Sequence, residues 1–164
     1  MINNRNDIPL DGWIDAETCA HIYPLKVQYE DTDAGGVVYH ANYLSYAERA
    51  RSAGFTLMDI DQRQRLSDGK AFVVAGVDVQ YHKPARLGDV ITVVTKTERM
   101  TGAQVILNQQ VISADDINLA TLTVKVVYAT LDGRPIRLDM DVKNKILATM
   151  PPQNHDIHNY LELR

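Results

Sequence analysis

The sequence lacks several features that would point to particular classes of protein. It has a single cysteine, Cys19, which cannot form a disulfide within the chain, as is usual in a reducing compartment. Its longest apolar runs, such as residues 71–77, are far shorter than the roughly 20 residues needed to cross a bilayer. The start of the chain has no apolar core of a secretory signal. These absences argue against a membrane span and predict an unprocessed, cytoplasmic protein.

The sequence has no excess of positive charge either. Its formal net charge is -4, so it offers no basic field for nucleic acid, although a local cluster of Lys and Arg could hold an anionic small molecule. Its 164 residues, of which 45% are hydrophobic and 23% charged, fit one globular domain. We predict a loosely ordered N-terminal arm over residues 1–20, a folded domain over 21–150 and a polar tail over 151–164.

The hydrophobic pattern changes from a strand period to a helix period in the first third of the chain. Alternation of apolar and polar residues predicts a strand from about Pro24 through Tyr29. Apolar residues then recur at helical spacing from about Asn42 to residue 53. Asn42 is a candidate N-cap for this helix, and Gly54 is a natural C-terminal cap.

The rest of the chain is dominated by strand patterns. A polar stretch over residues 61–69 contains a short helix or only a loop, and residues 141–150 form a last short helix stopped by two prolines. The predicted strands lie near residues 73–81, 90–95, 105–111 and 120–128, and the first places Val73, Ala75, Val77, Val79 and Tyr81 on one face. One helix followed by hairpin-connected strands predicts an α+β domain with an antiparallel sheet of about five strands. Its uncovered edges favour a homodimer.

Several catalytic motifs are missing from the sequence. It contains no G-x-S-x-G, no phosphate-binding loop and no dinucleotide-binding glycine fingerprint. The nearest approaches to metal-ligand spacing are Cys19-x-His21 and His155-x-x-His158, and both lie in the predicted terminal arms, where solvated polar residues are the simpler interpretation. Because these motifs are absent, the chemistry that the sequence still allows is acid–base catalysis by carboxylate side chains, without a cofactor or a metal.

Two acids one residue apart, Asp31 and Asp33, precede the glycine pair Gly35-Gly36 and the predicted helix. Aspartate is common in turns, because its side chain bonds to nearby backbone, so the pair could be structural. A helix N-terminus also presents unpaired N–H groups and partial positive charge, which suit a developing oxyanion. A carboxylate held close to it could attack a carbonyl carbon or activate a water, and the glycines would let a substrate approach the backbone.

The segment from Tyr29 to Leu44, YEDTDAGGVVYHANYL, followed by AERAR at 47–51, closely resembles YbgC-type acyl-CoA thioesterases, within the 4-hydroxybenzoyl-CoA thioesterase branch of the hotdog-fold superfamily. A second stretch, V-x-Y-x-x-PARLGD at 79–89, is also similar to that family. The resemblance covers about residues 24–150. It implies a hotdog fold, in which a curved antiparallel sheet wraps one long central helix, and homodimers or homotetramers with active sites at the dimer interface.

The resemblance also implies roles for particular residues. The second acid of the pair, Asp33, is the nucleophile or general base, and Asp31 is structural. His40 matches the position where backbone N–H groups polarise the thioester carbonyl, although it could instead be a histidine of the helix cap. Tyr29 is a supporting catalytic hydroxyl or simply a strand aromatic.

The expected substrate contacts divide into two groups. Gly36, Val37 and Tyr39 lie between the catalytic acid and the helix. Lys83 and Arg86 flank the Pro84 turn and are candidates for the phosphates of coenzyme A, with solvated surface as the alternative.

The function implied by the resemblance is hydrolysis of acyl-CoA thioesters to free acid and CoA. A hotdog dehydratase is disfavoured because its His-Phe-Pro-type motif is absent. A non-catalytic hotdog protein acting as a partner of acyl carrier protein, or of the Tol-Pal envelope system, is the alternative of a different class. The acyl group, the choice between CoA and acyl carrier protein, and the choice between dimer and tetramer stay open at this point.

Overall fold

An antiparallel sheet of six strands dominates the computed structural model, which describes residues 9–151. Its strands are β1 (Trp13–Ile14), β2 (His21–Lys26), β3 (Lys70–Tyr81), β4 (Val90–Met100), β5 (Gln104–Ser113) and β6 (Asn118–Thr130). The α-helices of this range are α1 (Asn42–Leu57), α2 (Gln62–Ser67) and α3 (Met140–Leu147). The strands are ordered β1-β2-β4-β5-β6-β3, and every neighbouring pair is antiparallel. The predicted α+β class with one long helix is confirmed, with one strand more than expected.

The long helix α1 packs against the inner face of this sheet. Small and aromatic residues recur on its buried side, and Tyr46, Ala47 and Ala50 are fully buried. They contact the inward side chains of the central strands, such as Val93 and Leu122. Alanines on a helix let it approach a sheet closely, which explains why two turns of α1 carry so little side-chain volume on the packed side.

The C-terminal helix α3 closes a second apolar cluster at the far end of the sheet. Val142 and Ile146 of this helix are buried there against Tyr128 of β6. The Tyr128 hydroxyl donates to Asp139 (2.8 Å), which Lys70 also approaches at 2.8 Å. Burial, followed by the bond to Asp139, raises the pKa of Tyr128 to about 12. A hydrogen-bonded ion pair therefore anchors α3 to the edge of the sheet.

The helix α1 does not end at Gly54, and this prediction was wrong. It continues to Leu57, and Asp59 just beyond it adopts the left-handed backbone conformation, with a φ of 54°. Gly54 is buried inside the helix, where a Cβ would lie 3.3 Å from Nδ1 of His21. The glycine serves close packing rather than termination.

The side-chain faces predicted for β3 are correct after residue 75 and reversed before it. The register shifts between Val74 and Gly76, so Ala75 is an extra residue that forms a bulge. Beyond it, Val77 pairs with inward-facing Val124 of β6 and lies on the predicted face, although it is itself 39% exposed. Before it, Val73 pairs with Val127 and lies on the opposite face, because one inserted residue reverses the alternation.

Two predictions at the start of the domain also need correction. The strand β2 ends at Lys26, and Tyr29 begins a 3-10 turn over Tyr29–Asp31 instead of continuing the alternation. In the segment predicted as a loosely ordered arm, Trp13 and Ile14 pair with β2. Of the predicted polar tail, residues 152–164 lie outside the described range. Across residues 9–151, no helix is long and apolar enough to span a membrane.

Candidate active site

A tight turn over residues 33–37 displays the carboxylate of Asp33. The Asp33 N–H donates to the carbonyl of Val37 (2.9 Å), and the Gly36 N–H donates back to the carbonyl of Asp33 (3.0 Å). Gly36 has a φ of 72°, which a residue with a side chain would adopt only with strain. The Gly35 N–H donates to Oδ1 of Asp33 at 2.8 Å, and the residue is exposed. The Gly35 N–H therefore holds one carboxylate oxygen of an exposed aspartate.

The neighbouring acid, Asp31, has the opposite environment. Its side chain is buried, and its Oδ2 accepts from the Gln28 N–H at 2.8 Å. Its carbonyl accepts from the Tyr39 N–H (2.9 Å) and from the side-chain amide of Asn42 (2.8 Å). Asp31 therefore ties the acidic turn to the start of α1.

The N-terminus of α1 has no side-chain cap. Ala41 occupies the N-cap position and has no oxygen to offer, and Asn42, the predicted cap, is instead the first helical residue with its amide committed to Asp31. The first N–H groups of a helix lack intrahelical acceptors and carry partial positive charge. Here the N–H groups of Asn42 and Leu44 already donate to the carbonyls of Tyr39 (2.8 Å) and Ala41 (3.1 Å). An acceptor oxygen from a ligand would therefore bond to the other N–H groups of the first turn.

His40 lies at the rim of a surface groove in front of this helix start. Its ring is exposed and lies 4.4 Å from that of Tyr39 between centroids, tilted by 57°, and it meets the Tyr81 ring edge-on at 6.3 Å. The Tyr81 hydroxyl donates to the carbonyl of His40 at 2.9 Å. The groove has a volume of about 240 Å³ and is lined by Val38, His40, Tyr43, Tyr81, His82, Lys83 and Pro84.

The two motifs that are separated in sequence meet beside this groove. The Ala85 N–H donates to the hydroxyl of Tyr43 (2.9 Å), and the Val38 N–H donates to the carbonyl of Ala85 (2.9 Å). Val37 and Arg86 form an isolated bridge next to them. Burial raises the pKa of the Tyr43 hydroxyl, so it stays protonated and neutral at this junction. The Pro84 turn is thereby fastened to the glycine turn and to α1 together.

The predicted site residues are not all brought together within one chain. His40 and Lys83 share the groove, and Val37 and Arg86 pair at its edge. Tyr29 is 83% exposed, and among residues 9–151 no hydrogen bond joins its hydroxyl to Asp33 or His40. The supporting role suggested for Tyr29 therefore gains nothing from the contacts of the described chain. Lys83 and Arg86 both have exposed side chains.

Three groove residues were not singled out from the sequence. Tyr43 and Tyr81 were assigned only to helix and strand faces, and their hydroxyls turn out to fasten Ala85 and His40. His82 lies between Tyr81 and Lys83, with its Nε2 at 3.1 Å from the hydroxyl of Thr121. The signal for Tyr81 and His82 was the second motif, which runs from residue 79 to residue 89, whereas Tyr43 lies in the first motif, which runs from residue 29 to residue 44.

A polar network, also missed from the sequence, holds the middle of α1 to the sheet. Gln109 is fully buried; its amide donates to the carbonyl of Ala47 (3.0 Å) and to the hydroxyl of Thr95 (2.9 Å), and its oxygen accepts from Arg51 (2.7 Å). Arg51 also forms an ion pair with Glu48 one turn back along the helix. A glutamine at an inward position of an otherwise apolar strand face was the available signal.

The two pairs that come nearest to metal-ligand spacing, Cys19-x-His21 and His155-x-x-His158, are interpreted as solvated polar residues rather than as a metal site. Within residues 9–151, no cluster of three or more His, Cys, Asp or Glu side chains could hold a metal ion. His21 uses Nε2 for a 2.7 Å contact with the carbonyl of Asp11. The other pair, His155 and His158, lies outside the described residues.

Comparisons with known proteins are consistent with these features. Residues 27–152 match the thioesterase-like superfamily. The acyl-CoA thioester hydrolase YbgC of Escherichia coli is 39% identical over 105 residues, covering 64% of this chain and 78% of that protein. The acyl-CoA thioesterase YbgC of Haemophilus influenzae is 37% identical over 123 residues, 74% of this chain and 90% of that protein. The solved structure of a probable thioesterase from Bartonella henselae superposes with a TM-score of 0.69 at 30% identity, covering 73% and 99% of the two chains.

Proposed function

This chain belongs to the thioesterase-like superfamily, and from that membership we propose that it hydrolyses acyl-CoA thioesters to a free acid and CoA. Relatives named as acyl-CoA thioesterases, 37% and 39% identical to it, support this activity. One structural observation carries the proposal further: the exposed residue Asp33 lies nine residues before Asn42, where a helix that no side chain caps begins.

The proposed role of Asp33 is to act on the thioester carbonyl carbon or on a water beside it. Its Oδ1 accepts from the Gly35 N–H, which orients the carboxylate of this exposed residue. As a nucleophile it would form a mixed anhydride and release the CoA thiolate; as a general base it would take a proton from the attacking water. Both routes break the same C–S bond and consume one water overall.

The proposed oxyanion site is the start of α1. When the carbonyl carbon becomes tetrahedral, negative charge moves to its oxygen, and N–H groups fixed in advance stabilise that charge. Ala41 at the N-cap leaves these groups without a competing side chain. His40 is held beside them through its carbonyl bond to Tyr81, and we assign it to orienting the substrate.

For the rest of the substrate we propose the groove and its basic rim. Lys83 lines the groove and Arg86 lies two residues beyond the Pro84 turn, both exposed, as binding of the CoA phosphates requires. Gly36, Val37 and Tyr39 would contact the pantetheine and thioester portion, because they lie between Asp33 and the helix. Solvated surface remains the alternative role for Lys83 and Arg86.

We further propose a homodimer joined through the edge of β3. This strand pairs with β6 on one side, and among residues 9–151 nothing pairs with its other side. Val73, Val74 and Val77 of this strand are each about two-fifths exposed. A 12-residue apolar edge is a surface that a second copy would cover. A tetramer would need a further contact.

The experiment that tests the activity is thiol release from acyl-CoAs of rising chain length, plus one aromatic acyl-CoA. Wild type, Asp33→Asn and a matched control, Asp115→Asn, would be assayed side by side; Asp115 is exposed in the β5–β6 turn. We expect turnover by wild type and control and loss of turnover in Asp33→Asn. Full activity in Asp33→Asn would remove this residue from the mechanism.

The same panel decides the alternative function. Negligible hydrolysis of every thioester, together with a stoichiometric complex recovered by pull-down, would favour a partner role with acyl carrier protein or the Tol-Pal system. Acyl carrier protein thioesters in the panel would identify the carrier. The cytoplasmic location stays a prediction of the sequence.

A further inference from the structure

The hydroxyl of Tyr43 keeps a hydrogen-bond donor that the fold does not use. A phenolic hydroxyl has one proton to donate and an oxygen that accepts. The oxygen accepts from the Ala85 N–H at 2.9 Å, and among residues 9–151 no hydrogen bond is donated by this hydroxyl. Burial raises the pKa of Tyr43, so the proton is retained at neutral pH. Tyr43 therefore offers one donor to a ligand.

The contacts of this hydroxyl place it next to the groove, beyond the start of α1. Tyr43 is the second residue of the helix and lines the groove. Side chains of a helix lean toward its N-terminus, so the hydroxyl extends past the helix start, where it meets Ala85. Val38, whose N–H donates to the Ala85 carbonyl, and Pro84 line the same groove. The donor thus lies between the helix start and the Pro84 turn.

The environment of the hydroxyl favours an uncharged acceptor. Tyr43 is 3% exposed and belongs to the same apolar cluster as Val38 and Ala85. A buried donor without an acceptor is unfavourable, so a ligand that supplies one binds more tightly. A phosphate would lose its hydration at this position and is better held by exposed Lys83 and Arg86. A carbonyl oxygen, which is neutral and only accepts, suits the position.

The order of groups along an acyl-CoA identifies which carbonyl this is, a step that rests on the proposed thioesterase function. In such a substrate the thioester carbonyl is followed by the amide carbonyls of the pantetheine arm and then by the phosphates. In the protein, the helix start is proposed for the thioester oxygen, and Lys83 and Arg86 are proposed for the phosphates. The Tyr43 hydroxyl contacts Ala85, which lies between those two basic residues in the chain. The two orders agree when an amide carbonyl meets Tyr43.

We propose that Tyr43 is a specificity-determining residue of the thioester site, whose hydroxyl donates to the amide carbonyl nearest the thioester sulfur. This amide belongs to the pantetheine arm, which CoA and acyl carrier protein share. Tyr43 therefore selects pantetheine thioesters without distinguishing the two carriers. Because the amide does not react, the bond is the same in the ground state and in the transition state. It lowers KM and leaves kcat unchanged.

The test compares two small thioesters of the same acyl group. The N-acetylcysteamine thioester keeps this amide, whereas the pentyl thioester replaces it with methylene groups. Tyr43→Phe should raise the KM for the first about tenfold, the factor that one net hydrogen bond supplies, and keep kcat within about twofold. On the pentyl thioester the variant should match wild type. Equal losses on both substrates would show that Tyr43 only holds the Pro84 turn, and no loss on either would remove it from recognition; each result overturns the proposal.

Tyr128→Phe is the matched control. It also removes a buried tyrosine hydroxyl with one hydrogen bond, to Asp139 at 2.8 Å, but at the far end of the sheet. Its KM values for both thioesters should equal those of wild type. Wild type itself should favour the N-acetylcysteamine thioester over the pentyl thioester about tenfold in kcat/KM. Equal values for the two substrates would overturn the proposal even if Tyr43→Phe does not fold.

A binding measurement separates this proposal from the proposed activity. CoA carries the same amide, and its calorimetric titration needs no turnover. Tyr43→Phe should bind CoA about tenfold more weakly than wild type does. That result without thiol release by wild type would overturn the thioesterase activity and keep the assignment of Tyr43. Normal turnover with equal CoA affinity in wild type and variant would overturn the assignment alone.

Discussion

The two ends of helix α1 are built on opposite principles. At its start, exposed Asp33 and His40 precede a helix terminus that no side chain caps. At its other end, Gly54 and His21 are buried, and a Cβ added at Gly54 would lie only 3.3 Å from Nδ1 of His21, closer than an ordinary contact. The same helix is thus left open where we propose chemistry and closed where the fold needs support. Polar groups at the open end can serve a ligand, whereas those at the closed end must first serve stability.

The middle of α1 separates its open start from its closed end. Gln109 and Arg51 fasten it to the sheet, so a change at one end should not be transmitted freely to the other. Substitution of the exposed carboxylate at the open end should therefore change activity without stability, and substitutions below it should change stability first. Four predictions test this contrast.

The largest expected effect is that of Asp33→Asn on turnover. The amide keeps an oxygen for the Gly35 N–H but loses the negative charge, so turnover should fall by about 10²–10⁴-fold. The free energy of unfolding should change by less than about 0.5 kcal/mol, because the residue is exposed. Thiol release and urea unfolding measure the two effects. A large loss of stability in Asp33→Asn would show that Asp33 is a structural residue, and the two ends of α1 would then not differ as described.

The second prediction concerns the separating network. Gln109→Leu removes the partner of Arg51 and the bonds to Ala47 and Thr95, and should destabilise the protein by about 2–3 kcal/mol. Gln110→Leu, on the same strand but half-buried on the other face, is the matched control. Urea unfolding of both variants gives the comparison. Equal stability of the two would show that the network contributes nothing to holding α1.

The third prediction is a pH dependence confined to the closed end. Burial, opposed by the bond to Asp11, lowers the pKa of His21 below its usual value of about 6.5. The unfolded chain therefore binds a proton more readily, so this contribution to stability is complete above pH 6.5 and declines as the pH falls below it. The dependence should be weaker in His21→Gln, measured by urea unfolding between pH 5 and pH 8. Identical pH profiles would contradict the assignment.

The smallest expected effect is that of Tyr81→Phe. It removes only the hydrogen bond to the carbonyl of His40, so stability should fall by about 0.5–1.5 kcal/mol and thiol release by a few-fold. Both assays used for Asp33→Asn apply. A loss of turnover as large as that of Asp33→Asn would mean that the Tyr81 hydroxyl contacts the substrate directly.

Much of the fold could be predicted from period and turn chemistry alone. The inward residues Ala120, Leu122 and Val124 of β6 are all fully buried, as their alternation predicts. The predictions failed where a single residue interrupted the hydrophobic pattern because of contacts with distant parts of the chain. Ala75 inserts a bulge that reverses β3, and Gly54 is required by the ring of His21 rather than by the end of the helix. Neither reason lies in the local sequence.

The candidate site was predictable in part. The two acids, the glycines and the helix start occupy adjacent positions, so their sequence already brings them together, and the meeting of the Pro84 turn with residues 37–38 gives them a common frame. The different environments of Asp31 and Asp33 could not be read from composition, because only the backbone turn decides which carboxylate is buried. The buried role of Gln109 likewise depends on the distant residues Arg51 and Thr95.

The position of β3 in the sheet has a consequence for synthesis on the ribosome. Its partner β6 ends at Thr130, 49 residues after β3 ends at Tyr81. At about 5–20 residues per second, the nascent chain carries β3 without its partner for roughly 2–10 seconds. During that interval both edges of an apolar strand are unsatisfied, and β4 and β5 pair with each other first. We propose that β3 joins two finished subunits. The same strand is thus the one most in need of a chaperone while a subunit is being made.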